Sequence, residues 1–277
     1  MADGKVFALG STQTHCVDAL TGRLLWSAPL PGKAPGSSPL VAGGRVFVNS
    51  GQLVAYDAAT GKELWRQDKA GGSNASPAHW RDASGVELVI CNSRNALVAV
   101  KPDTGAIVWS TPGGGDSTPA FSGNHLAVQM KTAAIGFAAY EISATAATRK
   151  WNHASDPRRT QSSPIIHEGR VYHMEDGEQF CWELAGGKLL WKESVPGEIS
   201  SPILADGKLF VPINKGNNIQ ILRAGGEREE LGRALVRATW CPSPAIADGR
   251  LLLRMKDGIH ASHRRPDAAA VRQAEKG

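Results

Sequence analysis

Cysteine is scarce in this 277-residue chain, with four copies at Cys16, Cys91, Cys181 and Cys241. None stand two or three apart, so the paired spacing of a structural zinc site is missing. Long apolar runs are also lacking. No segment approaches the roughly eighteen apolar residues that a membrane-spanning helix requires. The opening MADGKVFALG has neither the basic start nor the apolar stretch of a secretory signal. The net charge of +5 is mild, and arginines such as Arg228, Arg233 and Arg237 are scattered. A nucleic-acid reader needs clustered basic residues with stacking aromatics in register, so no nucleic-acid partner is expected.

Catalytic signatures are equally sparse. The eight His form no HExxH pattern, no GxSxG elbow occurs, and Gly113-Gly114-Gly115 lacks the Lys and helix of a phosphate loop. His167 and His173 flank a hairpin (HEGRVYH), where a solvent-facing or edge role is expected. No enzyme is supported.

What the chain does contain is a repeat. AYDAATGKELW, ending at Trp65, recurs as CVDALTGRLLW to Trp26, AVKPDTGAIVW to Trp109 and CWELAGGKLLW to Trp191. A worn copy, EISATAATRKW, ends at Trp151, and the slot near Leu231 has lost its Trp. Successive Trp residues lie 39, 44, 42 and 40 positions apart. That period fixes the architecture as a repeat array. A second marker, a hydroxyl residue before proline, runs in phase at Ser38, Ser76, Thr118, Ser163, Ser201 and Ser243. After it come a short apolar run, a turn pair such as Gly43-Gly44, Asp206-Gly207 or Asp248-Gly249, and a second apolar run. A Thr-Gly hairpin then leads into the Trp strand.

Each unit therefore reads as four short antiparallel strands. With 31 Gly and 16 Pro and no long amphipathic helix, the predicted class is all-β. The predicted fold is a β-propeller of four-stranded blades with about seven units visible, from a seven- or eight-bladed parent. Second strands are expected near residues 4, 44, 85, 123, 169, 207 and 249. One domain covers 1–263, and 264–277 forms a flexible polar tail. The first unit lacks an inner strand and the last an outer one. The expectation is a chain missing an N-terminal piece, with an unpaired edge at residues 4–10.

The motif resembles the tryptophan-docking repeat of the pyrroloquinoline quinone (PQQ)-like β-propellers. Ala55, Asp57, Thr60, Gly61 and Trp65 match it throughout. Asp18, Thr21, Gly22 and Trp26 match apart from Cys16, and Ala99, Thr104, Gly105 and Trp109 match apart from Lys101. Relatives by this motif include quinoprotein dehydrogenases and BamB-type assembly factors. The enzyme branch implies a quinone capped by adjacent cysteines, with calcium held by Glu and Asn oxygens. Here no Cys-Cys pair exists and the acids near the links, Asp116, Asp156 and Glu198, are few. No cofactor is expected, and PQQ and calcium belong only to the alternative of a dehydrogenase relative. A ligand-sensing propeller of a signalling protein is a further alternative.

Equal spacing gives Trp26, Trp65, Trp109, Trp151 and Trp191, with Gly22, Gly61 and Gly105, a role in docking blade to blade rather than in stacking a sugar or quinone. The hydroxyls beside the prolines fit either steric crowding or a polar funnel mouth. Arg158 and Arg159, in the link ASDPRRTQSS, are the candidate partner contacts, suited to an acidic group. The resemblance implies a monomeric, non-catalytic scaffold for protein partners. It would work in the periplasm or envelope, on unfolded β-rich clients or an assembly complex.

Overall fold

The computed structural model describes residues 2–32, 36–156, 162–198, 200–239 and 243–263. Arg158, Arg159, Cys241 and the expected tail at 264–277 lie outside the described residues.

Seven antiparallel sheets follow one another along the chain. Blade 1 has three strands, Lys5–Leu9, Gln13–Asp18 and Leu24–Pro29. Blade 2 sets the four-stranded pattern with Leu40–Ala42, Arg45–Asn49, Leu53–Asp57 and Glu63–Gln67. Blades 3 to 6 repeat it, opening at Ala78–Arg81, Ala120–Ser122, Ile165–His167 and Ile203–Ala205. Blade 7 has Ala245–Ala247, Arg250–Met255 and Gly258–His263. The result is a seven-bladed propeller, as the repeat predicts. Two 3-10 turns, Asp68–Ala70 and Asn214–Gly216, supply the helical residues among those described. Among the described residues no helix is long and apolar enough to cross a membrane.

The turn residues do what their chemistry allows. Gly43 and Gly44 have φ of 54° and 71°, and Asp206 and Gly207 have 50° and 63°. Both central residues of a type I′ hairpin need positive φ, which only Gly and Asx adopt at low cost. At the second hairpin, Asp57 Oδ1 accepts from the Thr60 amide at 2.8 Å and the Thr60 hydroxyl at 2.7 Å. Asp18 and Thr21 repeat the pattern. In each case the hydroxyl and amide hold the carboxyl below its usual range.

A register shift recurs before this hairpin, between Cys16 and Val17, Ala55 and Tyr56, and Ala99 and Val100. It sets the Trp directly across from the small residue: Cys16 faces Trp26, Ala55 faces Trp65 and Cys181 faces Trp191. A large side chain in that slot would push the indole off the sheet, which explains its Ala/Cys composition. The worn fourth copy differs in length. Trp151 faces Ala139, so its slot lies two residues upstream of EISATAATRKW. Ser143 rather than glycine closes that longer turn, its hydroxyl accepting from the Ala146 amide at 3.1 Å.

The core is divided between blades. Val46, Val48, Val54 and Tyr56 pack with Phe7 and Trp26 of blade 1, whereas Phe47, Leu53 and Ala55 pack with Val89 and Val98 of blade 3. Both faces of the middle strands are thus buried. That geometry corrects one expectation: His173 is fully buried rather than solvent-facing, with its ring stacked 3.9 Å from Phe137 of blade 4.

Candidate functional site

The inter-blade links and the loops joining second to third strands share one end of the propeller; the other end carries the two kinds of hairpin turn. The hydroxyl-proline markers stand where links enter the inner strands, and four of their hydroxyls accept amides across blade boundaries. The Ser38 amide donates to Ser76 Oγ at 2.9 Å, and the Ser76 amide to Thr118 Oγ1 at 2.9 Å. The Thr118 amide donates to Ser163 Oγ at 3.2 Å, and the Ser163 amide to Ser201 Oγ at 2.9 Å. Each hydroxyl therefore receives an amide from the preceding blade, and five consecutive inner strands join in a directional relay. Two buried asparagines reinforce it. Asn49 Nδ2 donates to the Ala75 carbonyl at 3.0 Å, and Asn92 Nδ2 to the Ser117 carbonyl at 3.0 Å.

Replacing Ser76 with Ala strands the Ser38 amide. The bond is solvent-exposed, so water replaces much of the lost acceptor and the expected loss is at most about 1 kcal/mol. Urea denaturation checks this, with Ser76→Thr restoring the midpoint.

The tryptophans span adjacent blades. A Cβ built on Gly61 would lie 2.6 Å from the Trp26 ring, and one on Gly105 would lie 2.5 Å from the Trp65 ring. Trp151 lies equally close over Gly187. The indole N–H groups are satisfied by the same turns: Trp26 donates to Ala58 O at 3.1 Å, Trp65 to Pro102 O at 3.0 Å and Trp151 to Leu184 O at 2.8 Å. Trp109 reaches Ser143 O and Trp191 reaches Gly225 O. Gly22 is in the same turn of blade 1, with no atom within 4 Å of its would-be Cβ.

At the link-bearing end, blades 4 and 5 enclose a polar group that the repeat does not announce. Glu175, buried, accepts from Ser155 Oγ at 3.1 Å, and the same carboxylate oxygen lies 3.6 Å from His173 Nε2. Burial pushes the Glu175 carboxyl up to about 7, opposed by Ser155 and helped by Glu178 and Asp176. Burial, aided by the neighbouring His153, lowers His173 to about 3. The only sequence signal was a His and an acid in a strand whose faces are both covered.

Asp116, one of the few acids at the links, is taken by Lys131 at 2.6 Å. Among the described residues no three His, Cys, Asp or Glu side chains converge on a point. Cys16, Cys91 and Cys181 are buried free thiols on different blades.

Comparison with known proteins agrees with this architecture. Tetrathionate hydrolase of Acidithiobacillus ferrooxidans is 27% identical over 75% of this chain and 40% of its own length. BamB of Yersinia pestis is 25% identical over 76% of this chain and 58% of its own. The chain thus spans less than two thirds of either relative. The crystal structure of BamB from Moraxella catarrhalis superposes with a TM-score of 0.73, at 17% identity, over 93% of this chain and 80% of that one. A europium-containing methanol dehydrogenase shares the fold with a TM-score of 0.65, at 11% identity, over 90% of this chain and 72% of that one. The family described as outer membrane protein assembly factor BamB matches residues 1–112 and 49–253, and the chain belongs to that family of PQQ-like propellers.

Proposed function

We propose that this propeller is a non-catalytic scaffold that binds protein partners in the cell envelope, as BamB-type assembly factors do. The observation that carries the reading is where the polar side chains at the link-bearing end are used. The hydroxyls of Ser76, Thr118, Ser163 and Ser201 bond amides of the preceding blade, Asn49 and Asn92 clasp the next blade, and Asp116 is paired. At the same end Glu175 and His173 are buried within the blades rather than presented to a ligand. Function then falls to the loops that the scaffold displays. Arg158 and Arg159 remain the proposed contacts for acidic partner groups, and a single domain over 1–263, acting as a monomer, is the proposed working unit.

The test adds an outer-membrane β-barrel protein, diluted from urea, to the purified chain and follows complex formation by light scattering and interferometry. The expected result is saturable capture of the unfolded protein and none of the folded barrel. The tetrathionate hydrolase relative supports a second reading, an enzyme acting on a sulfur substrate. PQQ with Ca²⁺, or tetrathionate, is therefore added to separate samples. A ligand at one hundred times its Kd adds about 2.7 kcal/mol to the native state, which moves the thermal midpoint by several degrees. A saturable shift with either addition, or tetrathionate consumption, would sink the non-catalytic reading.

A further inference from the structure

At the link-bearing end, the joint of blades 2 and 3 and the joint of blades 3 and 4 are built alike. The second strands Glu87–Asn92 and His125–Gln129 are each followed, two residues on, by a cation, Arg94 or Lys131. Both give their amide to a glycine carbonyl of the preceding link, Arg94 to Gly71 O at 3.0 Å and Lys131 to Gly114 O at 2.7 Å. The two cations thus start from the same place on their blades. What they meet differs. Lys131 is met at 2.6 Å by Asp116, which stands two residues before the marker Thr118. Two residues before the marker Ser76 stands Asn74, which carries no charge. Among the described residues, no hydrogen-bond or ion-pair partner meets the exposed Arg94 guanidinium.

A cleft of about 270 Å³ opens beside Arg94, walled by Gly51, Asp68 and Lys69 from blade 2 and by Arg94 and Asn95 from blade 3. Its walls are fixed by backbone. The Gly51 amide donates to Gly72 O at 2.7 Å, and a Cβ on Gly71 would overlap the Gly51 carbonyl. Ser93 Oγ donates to Ala96 O at 2.7 Å, which braces the turn that carries Arg94. The acid in the lining, Asp68, accepts from Gln52 Nε2, and Gln52 Oε1 accepts from Arg66 Nη1 at 3.1 Å. Asp68 is therefore held by the outer part of its own blade. The Lys69 ammonium, like Arg94, has no partner among the described residues, so the cleft carries two uncompensated positive charges.

We propose that this cleft is a carboxylate receptor, and that its ligand is an acidic side chain on an exposed loop of a partner protein. The neighbouring joint supplies the precedent: there the chain itself brings a loop carboxylate, Asp116, to the equivalent cation. At Arg94 the cation is kept and the carboxylate is left to the partner. A guanidinium presents two parallel N–H groups to a carboxylate, and Lys69 adds a second charge beside it. Charge complementarity selects an acidic segment over a neutral or basic one. The inference rests on the scaffold reading, to which it adds the group recognised and the place where it is held.

The test uses the full chain and the peptide acetyl-GSEGEGS-amide with an uncharged fluorophore; its control has Gln for both Glu. Saturable anisotropy is expected at low salt, with the Gln peptide weaker by at least about tenfold. Arg94→Gln, which keeps the backbone bond to Gly71, should weaken binding about five- to tenfold. Arg94→Lys should fall between, since it keeps the charge and loses the fork. Lys131→Gln removes the same charge from the same loop position, but a charge that Asp116 already holds, so binding should change less than about twofold. Equal binding of the two peptides, or an equal loss in Arg94→Gln and Lys131→Gln, would overturn the site. Asp267→Asn with Glu275→Gln removes the acids of residues 264–277 and should leave the affinity as it is. Tighter binding by that variant would make this chain's own C-terminal residues the occupant and overturn the partner. If the peptide binds as expected but unfolded barrel protein is not captured, the site stands and the scaffold reading falls. Capture of the client without peptide binding has the opposite meaning.

Discussion

Trp109→Ala lowers the unfolding free energy by about 3–5 kcal/mol, the range for deleting a large buried aromatic. Trp109 is 7% exposed and lies among Leu97, Leu126, Tyr140 and Ile142, at the joint of blades 3 and 4. Its N–H donates to Ser143 O, so truncation also leaves a carbonyl of the next blade unpaired. Against a typical total of about 5–15 kcal/mol the loss is large. At roughly 2–4 °C per kcal/mol, the thermal midpoint falls by about 10 °C. Trp109→Phe keeps most of the ring and should lose about a third as much. Trp65→Ala, at a half-exposed indole, should cost less than Trp109→Ala. Because repeats are stabilised by nearest-neighbour contacts, the transition should also broaden as the two sides of the joint uncouple. Urea denaturation read by tryptophan fluorescence and circular dichroism measures both effects. A loss below about 1 kcal/mol would mean that the indole does not hold these blades together.

Glu175→Gln stabilises the protein at pH 8 and leaves it unchanged near pH 4.5. Burial raises the folded carboxyl to about 7, well above its unfolded value. The native state therefore holds its proton more tightly than the unfolded chain does, and stability declines as pH climbs from about 4.5 through 7. A shift of that size corresponds to about 3 kcal/mol when fully expressed. The Gln variant carries no such slope, so the difference between the two proteins should open across that window and level off above it. The groups facing this carboxyl are Ser155, His173, Asp176, Glu178 and Lys192. His173 has the opposite sense: lowered to about 3, it adds stability that is lost as pH falls below about 6.5. Its ring lies 3.6 Å from the Glu175 carboxylate, so the comparison is repeated in a His173→Phe background. Thermal midpoints at pH 4.5, 6, 7 and 8 decide the matter, and a difference independent of pH would refute the assignment.

Much of the fold was legible because it is written in local chemistry. Gly-Gly and Asp-Gly pairs fix hairpins through φ, and the small residue across from each Trp is a contact ten residues apart in most copies. The relay was not legible. Its partners stand about forty residues apart, and whether Ser76 serves Ser38 depends on the angle at which one blade follows another. Crowding and a polar mouth were the local readings of those hydroxyls, and neither contains an amide from the preceding blade. His173 and Glu175 were missed for a related reason. Alternation assigns one face to water, whereas a strand in the middle of a blade has a neighbour on each side. The fourth copy misled through length, since two extra turn residues displace Ala139 from the equal-spacing position.

The relay also bears on how such chains lengthen and shorten. Every blade from the second to the fifth presents the same donor to the blade after it, and every blade from the third to the sixth presents the same acceptor to the blade before it. Ser and Thr serve equally at that acceptor, and the bond involves only the backbone on the donor side. A duplicated blade, or the two flanks of a deleted one, therefore meets a compatible neighbour at each new junction, whatever its outer strand carries. The joint works as a standard coupling, which leaves blade number and loop content free to drift while the inner circle keeps its connections.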